Sequence, residues 1–171
     1  MFNPCEFVCI IIFLSRNTVM NFKQAIKTFP EKPWSWYCLS ANPNITWKII
    51  QDNPGIPWHW HHLSQNPNIT WDIVLDNPDK PWDWHRLSIN PNITWDIVKD
   101  NPNEDWCWEY LSYHPNITMD IVRDNPDPSK MGWSWYGGLS YNPNITMDII
   151  LENPDKLWNW SYLSRNPNIT W

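Results

Sequence analysis

Hydrophobic and polar positions recur along this chain in a fixed order. From about residue 33 to the last residue one phrase returns with small edits: Ser64-Gln65-Asn66-Pro67-Asn68-Ile69-Thr70-Trp71-Asp72-Ile73-Val74-Leu75-Asp76-Asn77-Pro78-Asp79-Lys80-Pro81-Trp82-Asp83-Trp84. The first Trp of each Trp-x-Trp pair falls at Trp34, Trp58, Trp82, Trp106, Trp133 and Trp158, in steps of 24, 24, 24, 27 and 25 residues. Such a period marks a tandem array of stacked supersecondary units. All 16 Trp lie in three phases of it: the two of the pair, and a third held by Trp47, Trp71, Trp95 and Trp171, where Met119 and Met147 replace Trp in the fourth and fifth units.

Fifteen of the 17 Pro are equally in phase, so they set the element lengths. Proline interrupts helix interiors and biases the residue before it away from helical geometry. Each unit is left with two segments of about two helical turns. In the first, Thr70 reads as N-cap, Asp72 lies near the positive end of the helix dipole, Ile69 and Val74 occupy the hydrophobic-staple positions, and Asn77-Pro78 ends the helix. In the second, Pro81 fits a first helical turn with Asp79 or Lys80 as cap. Trp84, Leu87 and Ser88 then share a core-facing stripe, and Trp82 points to another side. Persistent alternation is absent and proline cuts every run, which argues against strands.

The fold expected is therefore all-α: an α-solenoid of two short helices per 24-residue repeat, with room for one of them to be partly 3₁₀. Two-turn helices do not persist alone in water, so each unit must close the apolar side of the last. One Trp carries roughly 150–250 Å² of buriable surface, and stacked columns of them can hold units this short. The expected core is Trp36, Trp60, Trp84, Trp108, Trp135 and Trp160; Trp47, Trp71 and Trp95; Leu39, Leu63, Leu87, Leu111, Leu139 and Leu163; and Ile49, Ile73, Ile97, Ile121 and Ile149. Buried indole N–H groups need acceptors, for which the recurring Asn and Asp of the turns are the candidates.

Units are expected at 33–56, 57–80, 81–104, 105–131, 132–156 and, incomplete, 157–171, forming one elongated domain. Residues 20–32 read as an N-terminal capping half-repeat and 1–19 as a loosely attached leader. The apolar run Phe7–Leu14 is too short to span a bilayer and lacks the basic flank of a signal peptide. Insertions at Asp127–Gly132 and Tyr136-Gly137-Gly138 predict a local bulge over 128–138. The last unit stops at Thr170-Trp171, which suggests a fragment of a longer array or an end that associates with another.

Charge narrows the function. With net charge −6 and no basic stripe, binding to nucleic-acid phosphates is not expected. The acidic residues Asp52, Asp76, Asp100, Asp124 and Glu152 precede the Asn-Pro turns as a solvated ridge. Six Asn-Ile-Thr tripeptides, at Asn44, Asn68, Asn92, Asn116, Asn144 and Asn168, and Asn159-Trp160-Ser161 match the glycosylation pattern, but turn and cap roles explain their recurrence with the helices. His59, His61, His62 and His85 are weak metal candidates, with no carboxylate or thiol in a recognisable ligand spacing. Cys5, Cys9, Cys38 and Cys107 read as isolated thiols. No cofactor and no catalytic set is expected.

What varies is confined to three slots between fixed positions. After the first Trp come Ser35, His59, Asp83, Cys107, Ser134 and Asn159. After the second come Tyr37, His61, His85, Glu109, Tyr136 and Ser161. After Leu-Ser come Ala41, Gln65, Ile89, Tyr113, Tyr141 and Arg165. A fixed frame displaying varied side chains is how repeat proteins build binding surfaces.

The phrases Asn-Pro-Asn-Ile-Thr-Trp and Asn-Pro-Asp-Lys-Pro-Trp-Asp-Trp, at this period over about residues 20–171, resemble the tryptophan-rich repeat proteins of large DNA viruses infecting amoebae. That resemblance implies a protein of the host cytoplasm or the virion rather than a secreted one, and implies no particular activity. More distantly, the period and the Asn-Pro-Asn turn are similar to the leucine-rich repeat variant, a solenoid of alternating α and 3₁₀ helices. Its iron–sulfur cysteine set has no counterpart here. The leading expectation is a non-catalytic scaffold for an unknown protein partner, viral or host. A secreted or surface ligand- or glycan-binding repeat protein and a structural virion component are the alternatives.

Overall fold

A computed structural model describes residues 22–29, 31–126 and 132–169. The leader, the middle of the first insertion and the final Thr170-Trp171 lie outside them. Among the described residues every regular element is a helix: α1 (Phe22–Thr28), α2 (Trp36–Ser40), α3 (Trp47–Asp52), α4 (Trp60–Leu63), α5 (Trp71–Asp76), α6 (Trp84–Leu87), α7 (Trp95–Asp100), α8 (Trp108–Tyr113), α9 (Met119–Asp124), a 3₁₀ turn (Leu139–Tyr141), α10 (Met147–Glu152) and α11 (Trp160–Leu163). This is an all-α, solenoid-like repeat fold. The chain divides into two compact units, one ending at Ile69 and the other beginning at Thr70. Coils of a repeat protein contact chiefly their neighbours, so compactness is local.

The Thr-initiated helix of each repeat forms as its sequence dictates. Thr46, Thr70, Thr94 and Thr118 are extended N-caps whose hydroxyls accept from the amides of Ile49, Ile73, Ile97 and Ile121 at 3.4–3.5 Å. At the other end Asn53, Asn77, Asn101, Asn125 and Asn153 turn the chain out, each side-chain amide donating to the carbonyl four residues back at 2.7–2.9 Å. An Asn thereby supplies a donor to a C-terminal carbonyl that the helix itself leaves unpaired.

The second helix starts later than the prolines suggest. Pro81 lies outside α6, and the cap is Asp83, whose carboxylate accepts from the Arg86 amide at 3.1 Å. The cause is Trp82. Its indole N–H donates to the main-chain carbonyl of Asn77 at 2.9 Å, which holds the intervening segment in turns and extended chain. Trp34, Trp58, Trp106, Trp133 and Trp158 make the equivalent bond to Phe29, Asn53, Asn101, Asn125 and Asn153, at 2.7–3.2 Å. The acceptors are thus the turn Asn residues expected, through their main-chain carbonyls, with Phe29 in place of Asn for Trp34.

This corrects the core. The first Trp of the pair is the buried one: Trp58, Trp82, Trp106, Trp133 and Trp158 are 4–9% exposed. The second, Trp36, Trp60, Trp84, Trp108 and Trp135, is half-buried, as are Trp47, Trp71 and Trp95, and Trp160 is 62% exposed. The three phases pack edge-to-face in triads. Trp84 lies 6.3 Å from Trp71 and 5.1 Å from Trp106, and Trp108 lies 6.4 Å from Trp95 and 5.4 Å from Trp133. Each of these triads draws its third ring from the following coil. The isoleucines shift by one place in the same way. Ile49, Ile73, Ile97, Ile121 and Ile149 are half-buried, whereas the next residue, Ile50, Val74, Val98, Val122 or Ile150, is buried together with the Ile of Asn-Ile-Thr. Leu39, Leu63, Leu87, Leu111, Leu139 and Leu163 are buried almost completely.

Polar side chains at the centre carry the connection between coils. Ser40, Ser64, Ser88, Ser112 and Ser140 are fully buried. From Ser64, Ser88, Ser112 and Ser140 the hydroxyl donates back within its own coil to the carbonyl of Trp60, Trp84, Trp108 or Trp135, at 2.6–2.8 Å. Ser40, Ser88, Ser112 and Ser140 accept from the next coil's amide, that of His59, Cys107, Ser134 and Asn159, at 2.9 Å. The first Asn of each Asn-Pro-Asn does the converse. The Asn142 side-chain amide donates to the carbonyls of Ser112, His114 and Ile117 at 2.8, 3.1 and 3.0 Å, while its carbonyl oxygen accepts from the Asn144 amide at 2.8 Å. Asn66 spans to Ser40 and Asn42, and Asn166 to Asn142, in the same manner.

Both insertions are absorbed between fixed points. The first lengthens the Trp-to-Asn bond from five residues to eight, with Trp133 still bonded to Asn125 at 2.7 Å. The second widens a turn, in which Leu139 and Ser140 donate five residues back, to Ser134 and Trp135, at 2.7 and 3.1 Å. Leu139 and Ser140 keep their buried places.

Asn142→Ala should leave the Ser112 carbonyl without this donor and take one of two donors from the His114 and Ile117 carbonyls, lowering stability by about 1–3 kcal/mol, measured by urea unfolding. Substituting the exposed Leu151 by Ala should change it by less than about 0.5 kcal/mol.

Candidate functional site

The two faces left to solvent differ. On the Thr-initiated helices an acidic pair recurs at exposed positions, Asp72 and Asp76, Asp96 and Asp100, Asp120 and Asp124, Asp148 and Glu152, beside one exposed position that varies as Leu75, Lys99, Arg123 and Leu151. On the helices opened by the second Trp, three positions change in each repeat and are exposed or half-buried in most of them, Cys38 and His62 being buried. They are the second and third residues of the helix and the one after Leu-Ser. All six Tyr of the chain, Tyr37, Tyr110, Tyr113, Tyr136, Tyr141 and Tyr162, fall in these three columns.

Not every expected slot belongs to this face. Ser35, Asp83 and Asn159, after the first Trp, cap the helix that follows: Ser35 accepts from Cys38 at 3.3 Å, Asp83 from Arg86 at 3.1 Å, and Asn159 from Ser161 and Tyr162 at 3.1 and 3.3 Å. Their variation reflects a cap position that tolerates several short polar residues. Ser35 and Asp83 are therefore structural. His59 stands at the same cap position without a side-chain cap bond, and its ring joins the outward cluster instead.

In the first unit that cluster is Tyr37, His59, His61 and His62. Tyr37 lies 5.3 Å from His59 and 3.8 Å from His62, and Gln65 approaches His62 Nδ1 at 3.1 Å. No group of three His, Cys, Asp or Glu among the described residues is arranged to hold a metal ion. In the second unit His85 packs on Tyr110 at 5.9 Å, and Tyr113, Tyr141 and Tyr162 form a ladder with ring separations of 5.4 and 5.6 Å. Glu109, Tyr136 and Arg165 are exposed beside it, and Ile89 is half-buried. Tyr110 and Tyr162 belong to a column that the three-slot reading passed over. The confinement of every Tyr to outward phases was the signal for it.

The glycosylation pattern has a structural explanation. Side-chain amides of Asn68, Asn116, Asn144 and Asn168 donate to the preceding coil, Asn68 to Pro43 and Ile45, Asn116 to Ile93, Asn144 to Pro115 and Ile117, and Asn168 to Pro143. A glycan there would replace those bonds. Cys38 is buried and disulfide-bonded, which corrects its reading as an isolated thiol; its partner lies outside the described residues. Cys107 is a free thiol.

One ladder position carries titratable chemistry. His114 stands where other repeats have Asn. Its Nδ1 accepts from the Asn116 amide at 3.1 Å, which places the ring proton on Nε2, 3.1 Å from the Asn90 carbonyl to which it donates. Burial pushes its pKa below the usual 6.5, against a smaller opposing effect of the Asn90 carbonyl.

No protein-family model matches the chain, and neither does any curated protein or solved structure.

Because the folded state holds His114 neutral, the unfolded chain binds more protons between the depressed folded pKa and the usual 6.5. Stability should be full above that window and fall as pH drops through it, measured as urea midpoints between pH 7.5 and pH 5. His114→Asn should restore the majority residue and remove that part of the slope, whereas an unchanged slope would show that His114 does not carry it.

Proposed function

We propose that this protein is a non-catalytic scaffold that binds another protein through the variable face of its Trp-initiated helices. The observation that carries this reading is the segregation of aromatic types. Among the described residues Trp other than the exposed Trp160 serves the frame, buried or half-buried, whereas every Tyr occupies a position that varies between repeats. Tyr offers a large rigid surface with a polar tip at low entropic cost, which is why it is enriched in binding surfaces. Tyr37, Tyr113, Tyr136 and Tyr141 are all exposed. The Thr-initiated helices repeat an acidic pair and vary at one exposed position, as Gln51, Leu75, Lys99, Arg123 and Leu151, none of them aromatic.

Glycan recognition by exposed Trp has less support, since Trp160 is the exposed Trp among the described residues. The resemblance to tryptophan-rich viral repeats favours a viral or host protein as the partner, with a structural place in the virion as one form such binding takes.

Affinity capture with the purified protein as bait tests the proposal. Tyr113→Ala/Tyr141→Ala should lose the captured partner while the protein stays folded, with about 1–3 kcal/mol lost from the two ring pairs. Leu75→Ala/Leu151→Ala, on the other helices, should retain it. Equal retention by both variants overturns the assignment of the face.

A further inference from the structure

The variable face of the second unit contains a cavity whose origin can be traced to two residues. In the column occupied by Arg86, Tyr110 and Tyr162, the fifth repeat has glycine, Gly137-Gly138, and one residue more than the others. The widened turn removes a side chain from the middle of the column and leaves Tyr110 and Tyr162 on either side of the gap. The resulting cavity of about 200 Å³ is lined by Tyr110, Tyr113, Tyr141, Tyr162 and Glu109, with the two glycines as its backbone wall. A Cβ on Gly137 would stand 2.6 Å from the Glu109 carboxylate, and one on Gly138 would stand 2.3 Å from the Ser112 side chain. Gly138 is thus needed for the close approach of the two coils, whereas Gly137 leaves room for the end of the flexible Glu109 side chain.

The chemistry of the walls is specific. Tyr113 and Tyr141 meet at 62° and Tyr141 and Tyr162 at 89°, so adjacent rings form corners rather than a flat stack. Four electron-rich rings and one carboxylate around a small open cavity form an environment for an organic cation. The ring faces attract it through their quadrupoles, and an alkylated ammonium is only weakly held back by water. A primary ammonium would lose more hydration on entering, and a neutral group of the same shape would forgo the electrostatic attraction.

We propose that this cavity binds a trimethylammonium group, as carried by trimethyl-lysine in a protein or by a choline headgroup. The inference rests on the proposed interaction face only for the identity of the carrier, not for recognition of the cation itself. The Glu109 carboxylate supplies one fixed negative charge, and the Tyr rings supply the remaining attraction.

Ligand-observed NMR titration of the full chain with tetramethylammonium, choline and 3,3-dimethylbutan-1-ol, the neutral isostere of choline, tests this. Both cations should bind saturably, and the neutral isostere should bind about tenfold more weakly or not at all. Tyr110→Leu and Glu109→Gln should each weaken choline binding about three- to tenfold, while Tyr110→Phe, which keeps the ring, should retain it. Equal binding of choline and its isostere, or an absence of saturation with either cation, overturns the proposal without touching the protein-binding face. Comparing acetylated trimethyl-lysine amide with phosphocholine identifies the carrier. Tighter binding of the former supports a protein ligand, and tighter binding of the latter overturns that part while supporting the cation site.

Discussion

The fold depends on buried amide and hydroxyl groups that hydrogen-bond from one coil to the next. Helices of four to six residues have almost no stability of their own, and a column of apolar contact alone would let coils slide in register. The Asn ladder and the Ser bridges prevent that, because each side chain must find particular carbonyls or amides in the adjoining coil. A slip by one residue would leave several buried polar groups without partners, at a cost of about 1–3 kcal/mol each. His114 shows how demanding the position is. An imidazole replaces an amide there by using one nitrogen as acceptor and the other as donor, and it does so only when neutral.

The Trp columns act on this frame at a second level. Each indole N–H of the buried column is tied to a turn carbonyl, so the ring is both an apolar filler and a fastener that fixes where the second helix begins. That division of labour leaves the second helix with a short inward side, made of one Trp, one Leu and one Ser, and a wide outward side. A one-turn helix with only three obligatory residues can vary everywhere else without loss of the core.

Variation on that side is therefore structurally cheap, and it takes a definite chemical direction. Tyr, His, Glu and Arg occupy it, whereas the Thr-initiated helices keep a recurring acidic pair and vary at one exposed position without aromatic residues. The fifth repeat takes the freedom further: an extra residue and two glycines convert a helix into a widened turn, and the surface there becomes concave.

The recurrence of prolines, Thr caps and Trp phases was enough to determine the helical class, the repeat length, the Thr-initiated helix and the buried Leu column, because those follow from local rules acting within a few residues. Sequence alone also marked the varied positions, since variation against a fixed frame is visible without coordinates. Which Trp of the pair is buried, and which of two neighbouring branched residues faces inward, was decided by tertiary structure. A helical wheel assumes a helix running through both Trp, but the bond from Trp82 to the Asn77 carbonyl keeps the chain extended until Asp83 and so rotates the pattern by one place. The Tyr-lined cavity was likewise out of reach, since it exists only where three successive coils set Tyr110, Gly138 and Tyr162 side by side.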